Sequence, residues 1–302
     1  MKMLPIFIYI ILFASCHSNN NHKKAPLTAD TVSPLYDTAI YTLLQYSSYP
    51  DSVLLKHQRD SFYAIKPAYL FTSTSNASAF NKLIAAAIDT AAAIHSRIDF
   101  TMVESYTYDK DSMPLSRTVT YSGKDYKIQV LTTDLEEYKQ KLIFINNRRL
   151  KWGADIDTSL TGTDISYTIE LSPADFSLLE FNGKKFLYIQ GGIEKCNGNG
   201  CGVSYHLIYD LQLHKAVALQ QYRTREFYMG KLSSGKQLAF LVFADHDFNY
   251  LYQHFTVSAK TYLFSNNGKI LAAKDSRNKQ YYFDGYSTGD PDRISILSAN
   301  FP

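Results

Sequence analysis

Asn182-Gly183-Lys184-Lys185-Phe186-Leu187-Tyr188-Ile189-Gln190 decides how most of the chain is read. Glycine after asparagine supplies the positive φ angles that a two-residue hairpin turn needs. The run that follows is aromatic and β-branched, the composition of a strand. The same signal recurs at Ser122-Gly123-Lys124, Ser234-Gly235-Lys236 and Asn267-Gly268-Lys269, and Asn146-Asn147 adds one more turn. The glycines stand 60, 52 and 33 residues apart, so this is not a strict repeat. Residues 101–302 are therefore expected to form a mainly antiparallel β region of hairpins, as a propeller-like fragment, a sandwich or a twisted sheet.

The texture before residue 100 is different. From Ser78 to Ile98, apolar residues at Phe80, Leu83, Ile84, Ala87, Ile88, Ala91, Ile94 and Ile98 recur in steps of three and four. That spacing predicts one apolar stripe along a helix. Ser78 is the expected N-cap and Arg97 suits the C-terminal end. Asp51 to Ala64 and Leu35 to Ser47 are further helical candidates. The fold class expected is α+β, a helical segment at 35–100 followed by the β region, the two forming one domain or two.

At the start of the chain, Met1-Lys2-Met3 carries positive charge, Leu4 to Phe13 is almost wholly apolar, and Ala14 and Ser15 are small. This is the order of a secretory signal over residues 1–15. The apolar run is well short of the ~20 residues that span a bilayer. Leu12-Phe13-Ala14-Ser15-Cys16 resembles the lipobox of bacterial lipoproteins, with Phe13 in place of the usual leucine. The resemblance implies that Cys16 is acylated and becomes the first residue of the mature chain, held on the membrane by its lipid. Residues 16–34 contain three consecutive asparagines, two lysines and two prolines with almost no large apolar side chain, and read as a tether. The implied location is the cell envelope, as an outer-membrane lipoprotein. Its periplasmic face is favoured over the outer surface, because no acidic run follows Cys16.

Removing residues 1–15 leaves 287, enough for a substantial core, and 45% of the chain is apolar. The net charge of +3 is small and its basic residues are dispersed, which excludes a nucleic-acid partner. The 24 tyrosines suit half-buried strand faces, and the same residue lines carbohydrate-binding surfaces. Beyond Cys16 the cysteines are Cys196 and Cys201, separated by Asn197-Gly198-Asn199-Gly200. Outside the cytoplasm so close a pair is expected to form a disulfide. Closing this loop contributes roughly 2 kcal/mol. Zinc would require further soft ligands, and a redox pair closer spacing.

Four stretches carry residue types that do chemistry. Gly230-Lys231-Leu232-Ser233-Ser234-Gly235-Lys236-Gln237 is one residue from a phosphate-binding loop. Gln237 replaces the magnesium-binding hydroxyl, and a strand-like run follows where a helix is needed. The wider segment 227–243 resembles a blade of the FG-GAP type of β-propeller repeat. Its loop at Lys231 to Ser234 lacks a carboxylate, so the resemblance implies the hairpin shape and no metal. His206, Asp210 and His214 share one face of a strand, expected to be solvated, with His206 and Asp210 about 13 Å apart. Asp245-His246-Asp247, with His254 nearby, converges as a metal or acid–base group only if it forms a loop. Asp284, Asp290 and Asp292 make an acidic turn whose spacing misses the EF-hand.

No nucleophile elbow, zinc helix or haem motif is present in the sequence. The expected function is a lipid-anchored envelope protein with a non-catalytic binding or scaffolding role, taking no cofactor, with an envelope protein or a glycan as partner. The alternatives are an envelope hydrolase built on Asp245, His246 and Asp247, and a glycan-binding lipoprotein.

Overall fold

The computed structural model describes residues 52–302 except 109, 111–113, 134–140, 162–164, 194–202, 223–226, 234, 244–247, 250–253 and 291. Cys16, Cys196, Cys201, Asp245, His246, Asp247 and the Leu35–Ser47 segment lie outside the described residues. Residues Val53–Pro302 form one compact unit.

In chain order the elements are α1 (Ser52–Tyr63), β1 (Tyr69–Thr72), α2 (Ala79–Ala87), β2 (Ile94–Arg97), β3 (Thr101–Tyr108), β4 (Pro114–Ser122), β5 (Lys127–Thr133) and β6 (Leu142–Ile145). Next come β7 (Arg148–Leu150), β8 (Ile156–Leu160), α3 (Ile165–Thr168), β9 (Ile169–Phe181), β10 (Lys184–Ile193), β11 (Val203–Asp210) and β12 (Lys215–Tyr222). The chain ends with β13 (Met229–Gly230), β14 (Ala239–Phe243), β15 (Phe248–Asn249), β16 (His254–Phe264), β17 (Ile270–Ala272), β18 (Tyr282–Ser287) and β19 (Arg293–Asn300).

The strands build three sheets. The order β1-β19-β18-β16-β14-β13 forms the first, with β15 and β17 also pairing with β16. The second is β2-β9-β10-β11-β12-β8 and the third β3-β4-β5-β6-β7. Pairing is antiparallel throughout, except that β8 lies parallel to β12. The expected turns hold at Asn182-Gly183 (φ 50° and 73°), joining β9 to β10, and at Asn146-Asn147 (φ 49° and 65°), joining β6 to β7. Two positive φ angles in succession give these turns the twist that matches their strands.

The layers stack. One core, with Leu83, Ile84, Leu241, Phe283 and Ile296, lies between α2 and the eight-stranded sheet. A second, with Phe186, Ile208, Val217, Phe240 and Phe264, joins that sheet to the six-stranded one. A third, with Ile128, Ile143, Phe176, Leu187, Leu207 and Tyr209, joins the six-stranded sheet to the five-stranded one. The six-stranded sheet is thus covered on both faces.

The expected α+β class is overturned, because the unit is mostly β. The N-terminal part does not form a helical segment of its own: β1 pairs with β19, and β2 with β9. The helix predicted from Ser78 to Ile98 starts as expected, with Ser78 Oγ accepting from Asn81 N at 3.1 Å, but stops at Ala87. Ile88 turns extended, and Asp89 exchanges two backbone hydrogen bonds of 2.9 Å with Lys231. Residues Ile94–Arg97 then pair with β9, leaving Ile94, a member of the predicted stripe, 62% exposed. Sheet edges offered this backbone partners that replace the helical ones, and packing overrode propensity. The Asp51–Ala64 expectation is met by α1.

Candidate ligand cleft and a buried histidine relay

The candidate site lies where α1 meets β18 and β19. Phe62 and Tyr63, in the last turn of α1, pack on His254 at the start of β16 and Tyr286 in β18. His254 stacks between Phe62, at 5.0 Å between ring centroids, and Tyr286, at 4.9 Å. Tyr63 meets Tyr286 edge-on at 5.4 Å, and its hydroxyl lies 3.3 Å from His254 Nδ1. Beside this cluster opens a cleft of about 220 Å³ lined by Tyr63, Tyr286, Thr288, Arg293 and Ser295. Tyr286 and Ser295 face each other across β18 and β19 and form its buried floor. Thr288 and Arg293 stand exposed at its rim.

A register shift between Asp284 and Gly285 shapes the floor. A Cβ at Gly285 would sit 2.2 Å from the Ser295 carbonyl oxygen, so glycine is required for the two strands to approach here. Such bulges re-aim the neighbouring side chain, here Tyr286.

Burial sets the protonation states. It pushes His254 down to about 4, so the imidazole is neutral at neutral pH. Burial raises the Tyr63 phenol and Tyr286 adds to the rise, while Arg59 opposes it, so the hydroxyl keeps its proton. Among the described residues, the Arg293 guanidinium, Thr288 Oγ1, Ser295 Oγ and Tyr286 Oη have no hydrogen-bonding or ionic partner from the protein.

A second polar assembly lies inside the six-stranded sheet. The face carrying His206 was expected to be solvated; instead His206 is 2% exposed and Asp210 1% exposed, because β11 is covered on both sides. Ser204 Oγ lies 3.0 Å from His206 Nε2, Tyr188 Oη lies 2.7 Å from His206 Nδ1, and Tyr188 Oη donates to Gln190 Oε1 at 3.3 Å. Each ring nitrogen of His206 thus meets one hydroxyl, Nε2 that of Ser204 and Nδ1 that of Tyr188. The alignment has the connectivity of a nucleophilic serine with its base. Its electrostatics oppose that role. Burial holds His206 down at about 3, so forming the imidazolium at neutral pH costs on the order of 5 kcal/mol, and among the described residues no carboxylate partners His206 to offset it. Phe227 stacks on the ring at 4.5 Å. The relay is a satisfied polar knot inside a core.

The other sequence-derived candidates are dispersed. Asp210 makes no hydrogen bond to His206 among the described residues; its Oδ1 accepts from Gln212 N and Leu213 N at 2.8 Å each, holding the β11–β12 turn, and its Oδ2 is buried with no hydrogen-bond partner among the described residues. His214 lies past that turn, 2.8 Å from Tyr209 Oη. The near-phosphate loop runs from β13 into β14, an antiparallel pair, so no helix follows it. Asp284 accepts from Ser258 Oγ in mid-sheet, whereas Asp290 caps the backbone of Asp292. Among the described residues no three His, Cys, Asp or Glu side chains group as metal ligands. Of the sequence candidates among the described residues, His254 packs on the cleft's Tyr63 and Tyr286, and Asp290 and Asp292 stand in the turn that leads to its Arg293. The cleft residues Tyr63, Tyr286 and Arg293 were missed: Tyr286 and Arg293 lie with Thr288 and Ser295 in one short stretch that carries no motif, and Tyr63 comes from a distant segment. The chain matches no protein-family model, no curated protein and no solved structure.

Proposed function

We propose that the protein is a lipid-anchored component of the cell envelope, held at the periplasmic face of the outer membrane through Cys16, that binds a ligand rather than converting it. The anchor rests on the lipobox resemblance and on the polar stretch that follows it. Among the described residues no helix is long and apolar enough to cross a membrane, so a lipid is the attachment the sequence offers.

The observation that carries the binding role is the cleft's chemistry. A small concavity is lined by an arginine and four hydroxyl-bearing residues, and the adjoining His254 is neutral and clamped between rings. Groups that recognise a ligand by hydrogen bonds and charge are thus exposed, while the titratable ring is sealed.

Mass spectrometry of the native protein from envelope fractions tests the anchor. An acylated Cys16 at the mature N-terminus is expected, and Cys16→Ser should release the protein from membranes. An unprocessed chain in the cytosol overturns the proposal. Pull-down of the acylated protein from its native envelope tests the binding role. Turnover of a hydrolase substrate panel without recovery of any partner would reverse it in favour of an enzyme.

A further inference from the structure

We infer that the cleft between α1 and the β18–β19 edge takes the carboxylate of a small hydroxylated ring, an acidic sugar either free or as the terminal unit of a glycan. The inference rests on the proposal that this cleft is the ligand site, and adds the class of ligand.

Four features converge on this class. Among the described residues Arg293 has no carboxylate as partner, and a guanidinium presents a planar fork that matches a carboxylate. The Ser295 and Tyr286 hydroxyls, on the buried floor, have no hydrogen-bonding partner among the described residues. Polar groups left unpartnered there are satisfied by a ligand with hydroxyls of its own, since each is both donor and acceptor. Tyr63, half-buried at the cleft wall, adds ring surface against which the C–H face of a sugar can lie. The volume, about 220 Å³, is that of roughly seven liquid waters, enough for one ring and too little for an extended chain.

Charge narrows the choice further. Asp292 adjoins Arg293 in sequence, and the Arg293 backbone N–H donates to the Asp290 carbonyl at 3.2 Å, so two aspartates flank the rim. Among the described lining residues Arg293 supplies the one positive charge, which matches a single carboxylate more closely than a doubly charged phosphate.

The test is calorimetric titration of the full acylated protein, in detergent, with sodium D-glucuronate, D-glucose and inorganic phosphate, each alone. Saturable binding of glucuronate is expected at least tenfold tighter than that of glucose or phosphate. Arg293→Ala should weaken glucuronate tenfold or more, and Arg293→Lys by less. Ser295→Ala should weaken both sugars by a similar factor. Arg293 is exposed, so both of its variants should fold, and circular dichroism checks that they do. Glucose binding as tightly as glucuronate, with Ser295→Ala weakening both, would overturn the carboxylate assignment and leave the cleft as a ligand site. Tighter binding of phosphate, or indifference of glucuronate to Arg293→Ala, overturns the assignment as well. Absence of saturable binding by both sugars overturns the inference together with the role of the cleft. Glucuronate attached to a longer glycan distinguishes a terminal unit from a free sugar: the glycan should bind at least as tightly if the terminal unit is the ligand.

Discussion

Two eight-residue strands of this protein make an instructive pair. β11, Val203-Ser204-Tyr205-His206-Leu207-Ile208-Tyr209-Asp210, is buried on both faces but for a half-buried Ser204. β3, Thr101-Met102-Val103-Glu104-Ser105-Tyr106-Thr107-Tyr108, is exposed at every position. Both are rich in tyrosine and β-branched residues, and both alternate. β11 is interior to the middle sheet, with cores on either side. β3 is the edge of an outer sheet, paired only with β4. The same kind of residue therefore has opposite surroundings. Tyr209 sits in a core, whereas Tyr106 donates to the exposed carboxylate of Glu104 at 3.0 Å. Burial of a strand is set by its rank in the stack more than by its composition.

The largest expected difference between the strands is in the cost of truncation. Leu207 is fully buried, and Leu207→Ala should destabilise by about 3 kcal/mol or more, from lost transfer energy plus a cavity. Val103 is 57% exposed, and Val103→Ala should cost under about 0.5 kcal/mol. Urea unfolding of both variants checks this. Equal costs would mean that β3 is covered by something in solution.

Next comes the pH response. In the unfolded chain His206 binds its proton near 6.5, but folded only near 3. Above pH 6.5 both states are neutral and His206 adds no pH dependence. As pH falls below 6.5 the unfolded chain takes up a proton that the folded one refuses. Stability then falls by about 1.4 kcal/mol per pH unit until the folded group titrates. His254, lowered to about 4, adds a second proton over most of the same range. Replacing His206 by Gln should remove one proton from the slope of stability against pH between 6 and 4. An unchanged slope would mean that water reaches His206. In β3, Glu104 is lowered mainly by its hydrogen bonds from Arg117 and Tyr106, so it too loses stability as pH falls, but only from about its ordinary value of 4.5 downward, at the acid end of that window.

The smallest contrast is a hydroxyl. Tyr188→Phe leaves His206 Nδ1 without its hydroxyl partner inside a core, a cost of about 1 to 3 kcal/mol. Tyr106→Phe removes a hydrogen bond that water replaces, and should shift the melting temperature by roughly 1 °C or less. Thermal unfolding of the two variants compares them directly. A larger shift for Tyr106→Phe would overturn the assignment of the buried relay as the more important polar contact.

Much of the β architecture was legible because its cues are local. Asn182-Gly183 and Asn146-Asn147 fix turns by their own φ angles, and Ser78 caps α2 by its own side chain. The run of helix after Ala87 was misread because apolar spacing does not register a sheet edge waiting for Asp89 and for Ile94–Arg97. The polar face of β11 was misread because alternation records which residues point together and leaves open whether that side meets water or a second sheet. The cleft was local only in part: Tyr286, Thr288, Arg293 and Ser295 lie within ten residues of one another, but the Tyr63 that closes it, and the His254 beside it, are 191 residues apart in the chain.

By itself the sequence determined the turns, the strand segments, the helix start and the resemblance at Cys16, because each follows from sterics, hydrogen bonding or a motif within a few residues. Only the tertiary structure decided where α2 stops, that His206 lies in the dark between two sheets, and that Arg293 and three unpartnered hydroxyls meet beside α1. These depend on which surfaces stack on which, and stacking is a property of the whole chain.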